Sequence, residues 1–216
     1  MKVLLTAFDP FGNDKINPAL EAVKLVKEKY EDIEVIKLEV KTIFEEGARS
    51  IFKKIEEVNP DIVLSIGQAG GRSAISLEFV GINYKDARIP DNAGNQPIDE
   101  MIFQDGDKAY FANIDVRRIV AYLNKNEIPA YVSYSAGTFV CNEVLYSILY
   151  YREKNNKSYR AGFIHLPYIP SQVLDRPNLA SMSIDTLVKA IEKAIEIEAH
   201  PDLTYADDCN SERPQP

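Results

Sequence analysis

Short apolar runs of strand length alternate along this chain with longer segments whose apolar residues recur at helical spacing, and that alternation restricts the fold more than any other feature. Residues 3–8, VLLTAF, read as a buried first strand, and DPFGND supplies a turn. Asn17-Pro18 starts a helix, because Asn can cap and Pro suits the first helical position; Ala22, Leu25, Val26 and Tyr30 form its apolar face. Residues 33–40 alternate as a second strand. A second helix over 44–58 places Phe44, Ala48, Ile51, Phe52 and Ile55 on one side and stops at Asn59-Pro60. Residues 61–66 are apolar in the middle, as a strand covered on both faces should be. Residues 73–83 have period two, with Ile75, Leu77 and Phe79 on one face and Ser76, Glu78 and Val80 on the other. Helices are expected over 115–125 and 183–199, and a further strand over 160–166 ends at Pro167. This pattern predicts an α/β fold: a single domain with a mostly parallel twisted sheet and helices on both faces.

With 216 residues, 45% of them hydrophobic, the chain can bury one sizeable core, and we expect a domain over 1–200 followed by a polar, mobile tail over 201–216. A net charge of −8 without a basic cluster argues against nucleic acid or an anionic membrane as partner. The opening KVLLTAF is too short for a signal peptide or a spanning helix, so a cytoplasmic location is expected. Cys141 and Cys209 lie far apart and form neither a disulfide framework nor a metal-ligand pattern.

Residues 130–149, AYVSYSAGTFVCNEVLYSIL, hold the most chemically suggestive group. A strand over 130–134 runs through the tight Ser135-Ala136-Gly137 turn into a helix carrying Cys141, Leu145, Ile148 and Leu149. A thiol in a helix's first turns feels unpaired N–H groups, which predicts a pKa lowered from about 8.5 toward roughly 3.5 to 7.5. Such a nucleophile needs a base, and of the two histidines His200 borders the tail whereas His165 ends a strand in FIHLPYIP. Ligands in open α/β sheets bind beyond strand carboxyl ends, where Cys141 should also emerge. The imidazole needs an orienting carboxylate. Glu78 is the best candidate because it stands among apolar strand positions in ISLEFVGI, where a carboxylate must be paired; Asp86 and Asp91 are weaker ones. By spacing alone an inert core cysteine, a structural histidine and a salt-bridged Glu78 remain open readings. GQAGGR lacks the G-x-G-x-x-G spacing of a dinucleotide loop. The long loop over 86–100, rich in Pro, Gly, Asn and Asp, is the kind that often carries function.

Taken together, TAFDPFG, GQAGGR, the stretch from Glu78 through INYKDARIPDNAGNQP, SYSAGTFVCN and GFIHLPYIPSQ resemble the pyroglutamyl peptidase I family of cysteine exopeptidases. The resemblance implies removal of an N-terminal pyroglutamyl residue from peptides by Cys141 as nucleophile, His165 as base and acid, and Glu78 as orienter, without metal or cofactor. It implies Arg88 beside the reacting carbonyl, an aromatic wall from Phe8 and Phe11, and further lining by Ile89, Phe139 and Val140. Gln68 would face the lactam, with Asn17 and Thr42 on the pocket side. Members of that family are often tetramers, so the resemblance permits a homotetramer, which composition does not show. Ala7, Asn13 and Lys41 depart from its pattern, where two glycines and a proline are usual. Two alternatives are a nucleoside phosphorylase-like enzyme, for which no phosphate loop is evident, and a module that binds pyroglutamyl peptides without cleaving them.

Overall fold

A computed structural model describes residues 1–203; Cys209 and most of the expected tail lie outside the described residues. Six strands form the main sheet in the order β2-β1-β3-β8-β4-β7. They are β1 (Lys2–Phe8), β2 (Glu34–Val40), β3 (Ile62–Gln68), β4 (Ile75–Glu78), β7 (Ala130–Ser133) and β8 (Arg160–Leu166). β1, β2, β3 and β8 run parallel; β4 pairs antiparallel with β8 and parallel with β7. Alternate residues of the buried strands feed opposite faces. Val3 and Leu5 of β1 pack under α1 (Pro18–Leu25), α3 (Val116–Lys125) and α5 (Ile184–Ala199). Leu4 and Phe8 pack under α2 (Glu46–Val58) and α4 (Val140–Lys154). Helices therefore cover both faces.

Local chemistry explains most boundaries. Asn17 caps α1 by accepting from the Ala19 N–H at 3.0 Å, Asp115 caps α3 and Ser183 caps α5. α2 stops at Asn59, which takes the left-handed conformation at φ 46° before Pro60.

Several expectations need correction. α1 ends at Leu25, which is exposed, and the chain turns extended at Val26 to make a bridge between Lys29 and Glu34. Tyr30 thus reaches α5 from a loop, donating to Glu192 at 2.9 Å. α2 begins at Glu46 because Asp91 takes the Phe44 N–H and Glu45 sits at φ 63°, outside helical space. The strand over 73–83 is two strands. β4 ends at Glu78, Phe79 breaks the run, and β5 (Val80–Ile82) leaves to pair with β6 (Ala109–Phe111), a strand with no clear signal in the sequence. Gly81 allows β5 to lie against α4, since a Cβ there would stand 2.8 Å from the Tyr146 nitrogen. Finally, β4 and β7 run against β8, so Glu78 and Cys141 do not emerge from the same end of a parallel sheet as His165; the antiparallel register brings the elements together.

Candidate active site

Glu78 and His165 are diagonal neighbours across the β4–β8 pair. Ser76 stands opposite His165 and Glu78 opposite Phe163, so all four side chains share one sheet face. Glu78 Oε1 lies 2.7 Å from His165 Nδ1, with Glu78 fully buried and His165 nearly so. Burial opposes a charge on Glu78, but contacts with His165, Ser133 and Arg72 outweigh it and hold the carboxyl below its usual range. An ionised acceptor makes Nδ1–H the donor and leaves the Nε2 lone pair free, the tautomer a general base requires. Among the described residues Glu78 Oε2 has no hydrogen-bond partner; the Ser133 hydroxyl opposite, close enough to help lower the carboxyl, donates to the Ser135 carbonyl at 3.2 Å. Room for the imidazole comes from Gly67 on β3, where a Cβ would stand 2.8 Å from the Phe163 ring and 3.1 Å from His165 Cδ2. Asp86 and Asp91 serve the loop instead. The Asp86 carboxylate accepts from the Asp99 N–H, and Asp91 accepts from the N–H groups of Phe44, Ala93 and Asn95.

Cys141 occupies the first turn of α4, half-buried against the cluster that contains Phe163. Its helix has no side-chain cap. The expected acidic thiol is nevertheless not what results. Burial, with the negative charge of Glu78 second, pushes the thiol up to about 12, and the opposing pull of Arg72 is smaller. A thiol in this setting calls for a base to take its proton as it attacks.

The start of α4 is tied down around this thiol. Thr138 donates its hydroxyl to the Asp86 carbonyl at 2.7 Å, and its own backbone carbonyl accepts from the Asp86 N–H at 3.0 Å. Asn142, next to Cys141, accepts from the Ile82 N–H at 3.0 Å and donates to the Ile82 and Tyr84 carbonyls, both at 2.9 Å. Both carboxylate oxygens of Glu143 lie 2.9 Å from the Glu45 N–H. In the sequence the one sign of Asn142 and Glu143 is an adjacent polar pair inside an otherwise apolar helical run; the fold buries both. Nor does the sequence mark Arg72, whose guanidinium reaches Glu78 at 2.7 Å.

The remaining candidates separate into free and committed groups. Arg88 is exposed and, among the described residues, makes no hydrogen bond or ion pair, so its guanidinium is available. Phe11 and Phe139 are half-buried with ring centroids 6.1 Å apart, and Phe44, which the sequence reading placed only in a helix, packs edge-on to Phe139 at 5.2 Å. Ile89 lies exposed beside Gly12, within 3.9 Å of where a Cβ would stand. Phe8 and Val140 are buried core, Phe8 tilted against Phe163. Gln68 has both ends engaged, donating to Asp14 at 2.7 Å and accepting from Gln172 at 3.1 Å. Asn17 is occupied as a helix cap, and Thr42 is pinned to Asp9 through its N–H at 2.7 Å and its hydroxyl at 3.1 Å. Lys41 pairs with Asp9 at 3.3 Å and reinforces that clamp. His200 lies at the amino end of the parallel strands, 3.8 Å from Asp32, away from this cluster.

A thiol at a helix start, a buried carboxylate–histidine pair and an exposed loop arginine are groups from which thiol-dependent hydrolysis can be built. The model of the pyroglutamyl peptidase family matches residues 1–200. The chain is 56% identical over 196 residues to a pyrrolidone-carboxylate peptidase of Clostridium perfringens, covering 91% of this chain and 92% of that one. It is 54% identical to pyrrolidone-carboxylate peptidase 1 of Caldanaerobacter subterraneus subsp. tengcongensis, covering 91% and 97%. The crystal structure of pyroglutamyl peptidase I from Bacillus amyloliquefaciens superposes with a TM-score of 0.89 at 44% identity, covering 92% of this chain and 94% of that one. The chain belongs to the pyroglutamyl peptidase family of cysteine peptidases.

Proposed function

We propose that residues 1–200 form the catalytic domain of an exopeptidase that hydrolyses the amide following an N-terminal pyroglutamyl residue, with Cys141, His165 and Glu78 as its triad and no metal or cofactor. The observation that carries this reading is the buried 2.7 Å contact of Glu78 with His165, on the sheet face that Cys141's helix covers. His165 Nε2 takes the Cys141 proton as Sγ attacks the pyroglutamyl carbonyl carbon. The developing oxyanion meets Arg88 and the free N–H groups at the start of α4. Nε2–H then protonates the departing amine, the C–N bond breaks, and a thioester remains. Water, deprotonated by the same nitrogen, attacks the thioester, releases pyroglutamate and restores the thiol. Glu78 holds the tautomer and stabilises the imidazolium without taking its proton.

The pyroglutamyl ring is a small flat lactam. Phe11, Phe139 and Ile89 supply half-exposed apolar surface for it, and Phe8, Val140, Asn17, Thr42 and Gln68 act as the shell behind. A free N-terminal glutamate would bring an unpaired ammonium into that slot, so the cyclised residue is selected. No helix among the described residues is long and apolar enough to cross a membrane. The acidic chain works in the cytoplasm, on peptides and not on nucleic acid or membranes. As a homotetramer it would cover exposed aromatics such as Phe111 and Tyr134. A pyroglutamyl fluorogenic amide should be turned over under reducing conditions while the glutamyl and glutaminyl amides are not. Absence of pyroglutamyl turnover by folded protein would overturn the assignment.

A further inference from the structure

We propose that Arg72 is a positioning residue for this reaction: its guanidinium fixes the Glu78 oxygen that faces His165 and supplies a permanent cation at that buried pair. The inference rests on the triad reading and goes beyond it. One carboxylate oxygen, Glu78 Oε1, lies 2.7 Å from both Arg72 Nη1 and His165 Nδ1. Arg72 Nη1 also bonds Ser76 Oγ, and Nη2 reaches the Ser135 carbonyl at 3.4 Å. The same side chain therefore spans β4, the carboxylate and the turn that precedes α4. The loop is shaped for this reach. Gly71 adopts φ 89°, and a Cβ on Gly70 would stand 2.2 Å from the Tyr168 ring.

The chemistry needs such a cation. While His165 is neutral, Glu78 would otherwise be a buried anion without a countercharge. When His165 takes the thiol proton, Glu78 faces two cations, so it holds the imidazolium less tightly and the proton can pass on to the leaving amine. Among the described residues, the ionisable groups around the carboxylate are His165 from β8, Cys141 from α4 and Arg72 from the β3–β4 loop, and β7 contributes the uncharged Ser133. Removing the cation favours the protonated imidazole and the neutral thiol, so both ionisations move to higher pH.

The test compares Arg72→Gln and Arg72→Lys with wild type in the pH dependence of kcat/KM for a pyroglutamyl amide and of Cys141 alkylation. Arg72→Gln should shift the acid limb and the alkylation curve upward by about one pH unit and lower kcat. Arg72→Lys should restore the position of both curves while kcat recovers only in part, because an ammonium keeps the charge and lacks the fork that spans Glu78, Ser76 and Ser135. A folded Arg72→Gln whose curves coincide with wild type would overturn the proposal even if it were slower or less stable. Should Arg72→Gln fail to fold, Arg72→Lys decides: a kcat equal to wild type removes the positioning role. Cys141→Ser and His165→Ala run alongside, since turnover surviving in either would count against the triad and not against Arg72.

Discussion

Glu78 and His165 meet across antiparallel strands, Oε1 to Nδ1 at 2.7 Å, with both side chains withdrawn from water. A carboxylate so placed contributes through its charge as well as its geometry. Glu78→Gln keeps the shape and loses the countercharge for the imidazolium, so kcat should fall by about 10²- to 10⁴-fold with KM little changed. Steady-state kinetics of the variant would refute the pairing's role if kcat stayed near wild type.

The half-buried thiol makes a prediction of its own. With its pKa pushed up to about 12 by burial and by Glu78, Cys141 is almost wholly protonated at neutral pH. Iodoacetamide inactivation should accelerate about tenfold per pH unit from pH 6 to 9. A rate flat across that range would show a preformed thiolate and contradict the proton transfer assigned to His165.

Much of this was legible in the sequence, for reasons that also explain what was not. β1 and β8 declare themselves as short, mostly apolar runs buried on both faces, and α5 by apolar residues recurring at period 3.6. Glu78 stood out because a carboxylate inside a strand needs a partner. Apolar runs carry no direction, however, so the reversal of β4 and β7 was hidden. The alternation runs unbroken through Phe79, and nothing local marks where one sheet is exchanged for another. Arg72 follows glycines in what reads as a surface loop, and only the fold turns it back onto Glu78. The state of Cys141 depends on a competition between helix start, burial and a distant carboxylate, which spacing cannot weigh.

Gly67 provides a steric test of the site. A Cβ there would crowd the Phe163 ring at 2.8 Å and His165 at 3.1 Å. Gly67→Ala should cost about 1–3 kcal/mol in urea unfolding and lower kcat by moving the imidazole. Unchanged stability together with unchanged kcat would contradict that packing.

Glu143 couples stability to pH. Burial raises its carboxyl to about 7, so the folded state holds a proton that the unfolded state releases above its ordinary, lower pKa. Stability from this group is present at pH 4 to 5 and is lost as pH rises through 7, by about 3 kcal/mol in total. Thermal unfolding of Glu143→Gln should therefore decline less between pH 5 and 8 than that of wild type; equal slopes would remove Glu143 as the source.

The central claim is that Cys141 carries the acyl group, and acid-quenched peptide mass spectrometry tests it most directly. Wild type mixed with a pyroglutamyl ester should show one 5-oxoprolyl adduct, on the peptide containing Cys141; Cys141→Ser should show neither adduct nor turnover, and Cys209→Ser should retain both. An adduct on another residue, or turnover surviving in Cys141→Ser, would contradict the account.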